Sequence, residues 1–186
     1  MAETTTHLKR AERQELVLDA AMGAFARGGY FGTTTTQVAQ AAGISQGYVL
    51  HLFGTKEALF LAVLERAGDA IVDQMRRIRL EEFDLEHFDA RYARTALDDT
   101  VMGVLLQGFA TCSVASVGAY VRSLLSQMYT VLLEHTKATP EQARDYLARG
   151  LLVNTVLAMR FPEHLDEHPW ATPLLSVMLG PDEPSA

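Results

Sequence analysis

Residues 34–53 read Thr34-Thr35-Thr36-Gln37-Val38-Ala39-Gln40-Ala41-Ala42-Gly43-Ile44-Ser45-Gln46-Gly47-Tyr48-Val49-Leu50-His51-Leu52-Phe53. Thr34 and Gln37 stand three apart, the spacing at which a threonine caps a helix and a glutamine caps back. The helix they open, about 35–42, is followed directly by Gly43, the residue that takes a left-handed C-cap without penalty. Ser45 can then cap a second short helix, about 46–52. Val38, Ala39 and Ala42 would face inward from the first helix and Val49 from the second. Ile44 plugs the angle between them. Two short helices meeting at a sharp glycine turn form a helix-turn-helix.

This stretch lies inside a longer anomaly. Between Arg27 and Lys56 there is no Asp, Glu, Lys or Arg, although Thr, Gln and Gly are frequent. A segment so polar does not suit a core helix. A surface that meets a polyanion must first lack carboxylates. The whole chain, 186 residues with a formal net charge of −7, argues the other way, because nucleic-acid binders usually carry a basic excess. Resolved along the sequence, the conflict disappears. Residues 1–80 carry +1 and residues 81–186 carry −8. Apolar residues make up 48% and charged residues 21%, which excludes a disordered chain. A single cysteine, Cys112, excludes an internal disulfide and a cysteine-based zinc cluster. The start has no apolar core of a signal peptide, and no apolar run reaches a membrane span. A cytoplasmic protein without membrane attachment is expected.

Outward from the turn, the periodicity predicts helices throughout. One spans about 9–27, with Leu16, Ala20, Ala24 and Phe25 on its apolar side and Gly28-Gly29 at its end. Thr4 to Arg10 ahead of it is read as a frayed terminus, with a minor-groove arm as the alternative. Thr55 caps a long helix, about 56–80, with Leu59, Val63, Ala67, Ala70 and Ile71 along one side. Further helices are expected at about 87–97, 100–112, 117–136, 140–160 and 172–179. Thr139-Pro140-Glu141-Gln142 is the clearest of their start signals. The fold class is all-α. An N-terminal three-helix helix-turn-helix domain (1–55) joins through a connecting helix (56–80) to a C-terminal helical domain (81–180), with a tail at 181–186.

In ordered combination, these residues resemble the TetR (tetracycline repressor) family of bacterial transcription regulators. The resemblance rests on Arg13, Leu18-Asp19-Ala20-Ala21, Phe25, Gly29-Tyr30, Thr33-Thr34, Val38-Ala39, Ala42 to Gly47, Phe53 and Lys56-Glu57-Ala58-Leu59-Phe60. It covers about a third of the chain. Leu50 stands where the family usually has a tyrosine whose hydroxyl contacts a DNA phosphate. Leu52 likewise stands where Tyr or His is common. Tyr48 and His51 lie close enough to compensate.

With the second short helix in the major groove, Gln46, Gly47, Tyr48 and His51 become candidate base readers. Thr34, Thr35, Ser45, Thr55 and Lys56 sit at helix starts, where N–H groups and the positive dipole end favour phosphate. Lysine at the first helical position is disfavoured by that dipole and is explained by a nearby anion. One short reading helix covers only a few base pairs, so a symmetric homodimer on a near-palindromic operator is expected. The C-terminal helices offer a dimer interface at Gly150, Leu151, Val153, Leu157, Ala158, Leu174, Leu175 and Met178. The resemblance also implies a pocket for a small apolar effector, with candidates Met102, Leu105, Leu106, Phe109, Cys112, Tyr120, Met128, Tyr129, Leu132 and Asn154.

No catalytic residues, cofactor or metal are expected. His164-Leu165-Asp166-Glu167-His168 matches a zinc-protease spacing, but Pro162 and Pro169 bracket it too closely for the continuous helix that chemistry needs. The expectation is a ligand-responsive DNA-binding regulator, most simply a repressor. The alternative is a helical protein-interaction adaptor without specific DNA binding.

Overall fold

A computed structural model describes residues 2–80, 82–84 and 99–179. The chain runs through α1 (Ala2–Gly32), α2 (Thr35–Ala41), α3 (Gln46–Phe53), α4 (Lys56–Arg77), α5 (Asp99–Ala110), α6 (Ala115–Thr136), α7 (Pro140–Ala158), a 3-10 turn (Phe161–His164) and α8 (Ala171–Leu179). Among the described residues there is no strand. The helix expected at 87–97 and the tail at 181–186 lie outside the described residues.

The turn between α2 and α3 forms as its sequence dictates. Gly43 takes φ 66°. Its N–H donates to the Gln40 carbonyl at 3.2 Å, and the Ile44 N–H reaches back to Ala39 at 3.0 Å. This pair of bonds is a Schellman cap, which satisfies the last carbonyls of α2 and reverses the chain. Thr34 and Gln37 form the full capping box, as do Thr139 and Gln142 at the start of α7.

Helix α1 differs from expectation at both ends and in phase. It begins at Ala2, so the segment expected to fray continues the helix. It then extends past Gly28 to Gly32, with a break at Gly29, whose φ of 66° and ψ of 176° are not helical. The Thr33 hydroxyl donates to the Ala24 carbonyl at 3.1 Å and folds this last turn back on the helix. The buried stripe is Val17, Leu18, Ala21, Met22 and Phe25, while Leu16 is exposed. Leu16, Ala20 and Ala24 also follow a helical spacing, but one position out of register, and the core takes the bulkier neighbours.

Helix α4 buries Leu59, Phe60, Val63, Leu64, Ala67, Gly68, Ile71, Val72 and Met75. All of these but Gly68 join one cluster of buried side chains that runs from Val17 to Tyr146 and includes both halves of the chain. The Phe25 and Phe60 rings meet edge to face at 4.9 Å. Two ion pairs, from Arg66 to Glu15 at 3.2 Å and to Asp19 at 2.8 Å, tie α4 to α1 on the outside.

The crossing of α6 over α4 is close because Gly68 has no side chain. A Cβ there would collide with the Tyr120 hydroxyl. That hydroxyl donates to the Leu64 carbonyl at 3.1 Å. Burial first, then the charges of Asp69 and Glu65, push the Tyr120 ionisation from 10.0 up to about 12. The native state therefore keeps a proton that the unfolded chain releases near 10.0, so the contribution is complete below that pH and is lost as pH rises toward about 12. Thermal melts across that alkaline window should fall more steeply for the unsubstituted protein than for Tyr120→Phe. At neutral pH Tyr120→Phe should cost about 1 kcal/mol through the lost hydrogen bond. Parallel pH profiles of the two proteins would remove Tyr120 from this role.

Candidate nucleic-acid interface

Three helix starts lie along the stretch that carries no formal charge, and each is capped by a hydroxyl. Thr34 Oγ1 accepts from the Gln37 N–H at 3.2 Å, Ser45 Oγ from the Tyr48 N–H at 3.2 Å, and Thr55 Oγ1 from the Ala58 N–H at 3.0 Å. All three capping residues are exposed. The third N–H of each helix is thereby occupied. The first two remain available to an anion, together with the Ser45 and Thr55 hydroxyls, which can still donate. The Thr34 hydroxyl donates to Gln37 Oε1 at 3.1 Å.

Thr35 is a correction to the expected surface. It is buried, and its Oγ1 accepts from Gln46 Nε2 at 3.0 Å. Facing inward from the first turn of α2, it holds Gln46 of α3. Gln46 is itself exposed, with Oε1 as its remaining acceptor toward solvent. Gly47 is exposed, and a Cβ there would meet no atom within 4 Å. The Tyr48 ring is half-buried, with the Arg13 guanidinium over it at 5.3 Å and the exposed His51 ring at 6.0 Å. Leu50, in place of the tyrosine of the resembled family, is exposed.

Lys56 opens α4 with its Nζ 4.7 Å from the centre of the Tyr30 ring. The Tyr30 hydroxyl is pushed above its ordinary range by burial and then by the nearby Glu57 carboxylate. Glu57 accepts from the Ser116 hydroxyl at 2.5 Å and so links the start of α4 to the start of α6. Sequence reasoning missed Arg13 and Tyr30 as parts of this surface. Both contacts join residues distant in sequence, so no local spacing announced them.

A second concavity, of about 60 Å³, lies among α4, α5, α6 and α7. Of the pocket candidates, Met102, Leu105, Phe109, Met128 and Asn154 line it, together with Ile71, Leu124, Leu125, Tyr146, Leu147, Gly150 and Leu151. Gly150 and Leu151, assigned above to a dimer face, also border this concavity. Leu106, Cys112, Tyr120, Tyr129 and Leu132 do not line it. Leu132 is fully buried in the main core, Tyr120 is bonded to α4, and Cys112 is exposed with Sγ against the Gly108 carbonyl at 3.5 Å. The buried Asn154 has found a partner within the chain, its Nδ2 donating to the Met102 carbonyl at 3.2 Å.

Along α7 and α8, Leu151, Leu157 and Leu174 are exposed, as are Gly150 and Ala158, while Val153 is half-buried. Leu175 is a correction: it is buried against Val156 of its own chain. The Met178 side chain lies outside the described residues. Leu152, Met159, Trp170 and Val177 add exposed apolar surface that was not anticipated. At the zinc-protease spacing, His164 Nδ1 lies 3.3 Å from Glu167 Oε1, and His168 packs on Phe161. Among the described residues no cluster of three or more His, Cys, Asp or Glu could hold a metal ion.

Comparison with known proteins places this geometry. Residues 17–63 match the family described as bacterial regulatory proteins, tetR family. The HTH-type transcriptional regulator RutR of Escherichia coli K12 is 35% identical over 83 residues, which is 44% of this chain and 39% of RutR. The chain's match thus spans about two fifths of that relative. The HTH-type transcriptional repressor AcnR of Corynebacterium efficiens is 47% identical over 51 residues, 27% of each protein. In fold, the chain is similar to a transcriptional regulator from Rhodococcus sp. Rha1, with a TM-score of 0.60, 20% identity, and coverage of 90% of this chain and 94% of the other. It is also similar to a tetR-family transcriptional regulator from Streptomyces coelicolor, with a TM-score of 0.59 at 23% identity, over 80% and 70% of the two chains.

Lys56→Ala should weaken binding to duplex DNA similarly across sequences, and lower the slope of log affinity against log salt by about 1 for each subunit bound. Anisotropy titrations at several salt concentrations would check this. An unchanged slope would take Lys56 off the phosphate-facing set.

Proposed function

We propose that this chain is a cytoplasmic, homodimeric regulator of transcription of the TetR family that binds a near-palindromic DNA operator, a reading supported by the tetR-family match of residues 17–63. The observation that carries this reading is the pair of short, capped helices within a stretch, 28–55, that contributes no carboxylate. Residues 1–55 form the DNA-binding domain, 56–80 the connecting helix, and 81–180 the ligand-binding and dimerisation domain. Each subunit lays α3 in a major groove, with Gln46, Gly47, Tyr48 and His51 toward the bases. Thr34, Ser45, Thr55 and Lys56 meet phosphates, while Thr35 acts through Gln46.

Homodimerisation draws support from the apolar side chains exposed on α7 and α8, among them Leu157, Leu174 and Val177. Large apolar side chains exposed along two successive helices suit an interaction site. The regulator acts as a repressor released by a small apolar effector. Support comes from the cavity, whose wall includes Ile71 of α4 itself. At about 60 Å³ it is far below the several hundred Å³ of typical ligand clefts, so an occupant must spread α5, α6 and α7. Such spreading would reach the DNA-reading helices along α4 and through the Glu57–Ser116 bond. To shift occupancy strongly, the effector must favour the spread state by several kcal/mol.

Selection of duplexes from a random-sequence library by the full-length protein should recover a site with two-fold symmetry. Recovery of no sequence-specific, salt-dependent binding would favour a protein-interaction adaptor instead. Sedimentation should give a dimer, and Leu157→Asp combined with Leu174→Asp should shift it toward monomer. A dimer that survives both substitutions would place the interface elsewhere.

A further inference from the structure

Two cations border the reading helix, and neither is held by a carboxylate. Lys56 sits over the Tyr30 ring and Arg13 over the Tyr48 ring. Some arginines elsewhere are held by carboxylates instead: Arg66, Arg76, Arg144 and Arg160 each pair with Asp or Glu. The carboxylate nearest Lys56 in sequence, Glu57, is bonded to Ser116. The two kinds of anchor differ in what they leave behind. A carboxylate fixes a cation but cancels its charge and repels any phosphate that approaches. A tyrosine ring fixes a cation through its quadrupole and leaves the net charge intact. A guanidinium attracted to a ring does not spend its N–H donors on an acceptor, so they can still meet phosphate oxygens in pairs.

Position adds to chemistry. Tyr48 belongs to the first turn of α3, and Lys56 follows three residues after α3 ends at Phe53. Eight helical residues span about 12 Å, so the two cations stand at opposite ends of the reading helix. Arg13 reaches this place from α1, and it is exposed. The stretch from 28 to 55 supplies no cation of its own.

We propose that Arg13 is a phosphate-binding residue of the DNA-reading surface, positioned by the Tyr48 ring, which fixes the cation without neutralising it. This rests on the DNA-binding reading given above and adds a contact to it. Tyr48 is then a positioning residue for Arg13, whatever its hydroxyl does at the DNA.

The test uses the full-length protein and a labelled duplex recovered by the random-library selection, titrated between about 50 and about 200 mM salt. Arg13→Ala should lower the salt slope by about 1 per bound subunit, and Arg13→Lys should keep the slope. The affinity lost in Arg13→Ala should persist in a Tyr48→Phe background, which keeps the ring. It should shrink in a Tyr48→Leu background, which removes it. An unchanged slope in Arg13→Ala, with the unsubstituted protein still binding its site, overturns the proposal and leaves the regulator reading standing. A slope lost equally in Arg13→Lys and Arg13→Ala shows a packing role and overturns it as well. Equal Arg13→Ala losses in both Tyr48 backgrounds overturn the positioning by Tyr48. Failure of the unsubstituted protein to select any duplex overturns the regulator reading and this proposal together.

Discussion

Helix α4 buries Leu59, Phe60 and Val63 toward its start and Ile71, Val72 and Met75 toward its end, within one core shared by both halves of the chain. The remaining architecture depends on that double burial. Close-packed interiors respond to displacement by moving as units, because side chains interdigitate with few voids. The short helices therefore cannot be displaced without α4, and α4 cannot be displaced without α6. The contact at Gly68 makes this crossing particularly tight, since the Tyr120 hydroxyl occupies the place of a side chain.

The parts of the fold legible in the sequence are those governed by local chemistry. Thr34 with Gln37, Gly43, Ser45, Thr55 and Thr139 with Gln142 carry their own instructions, because a cap satisfies N–H groups within the next turn. The structure places a cap at each. The phase of α1 was less legible. Leu16, Ala20 and Ala24 and the buried Val17, Leu18, Ala21 and Phe25 both fit a helical period, and only the rest of the core decides between them. Thr35 shows the same limit at the candidate site. Its identity marks a helix start, but its direction is set by Gln46, eleven residues away.

The cavity was legible only in part, for a related reason. Met and aromatic residues at helical spacing suit a core and a pocket equally. Asn154 was the informative residue, and it does line the space, but its amide is bonded to the Met102 carbonyl. Ile71 comes from α4, and Tyr146 and Gly150 from the helix that carries Asn154, and only the packing of these helices brings them to one space. The charge pattern was more telling than the total charge. A net charge of −7 describes the whole chain, yet the acid lies largely beyond residue 80.

Gly47 bears on how such a surface changes over generations. A Cβ placed there touches nothing within 4 Å, whereas one at Gly68 meets the Tyr120 side chain. Gln46 and His51 are likewise exposed. Gly47 and His51 are therefore tied weakly to the stability of the fold, unlike Gln46 with its bond to the buried Thr35, and substitutions at such weakly tied positions usually fall within about 0.5 kcal/mol. The candidate reading helix can drift in sequence while the rod beneath it stays fixed. A lineage can thus acquire new recognition without first acquiring a more stable scaffold.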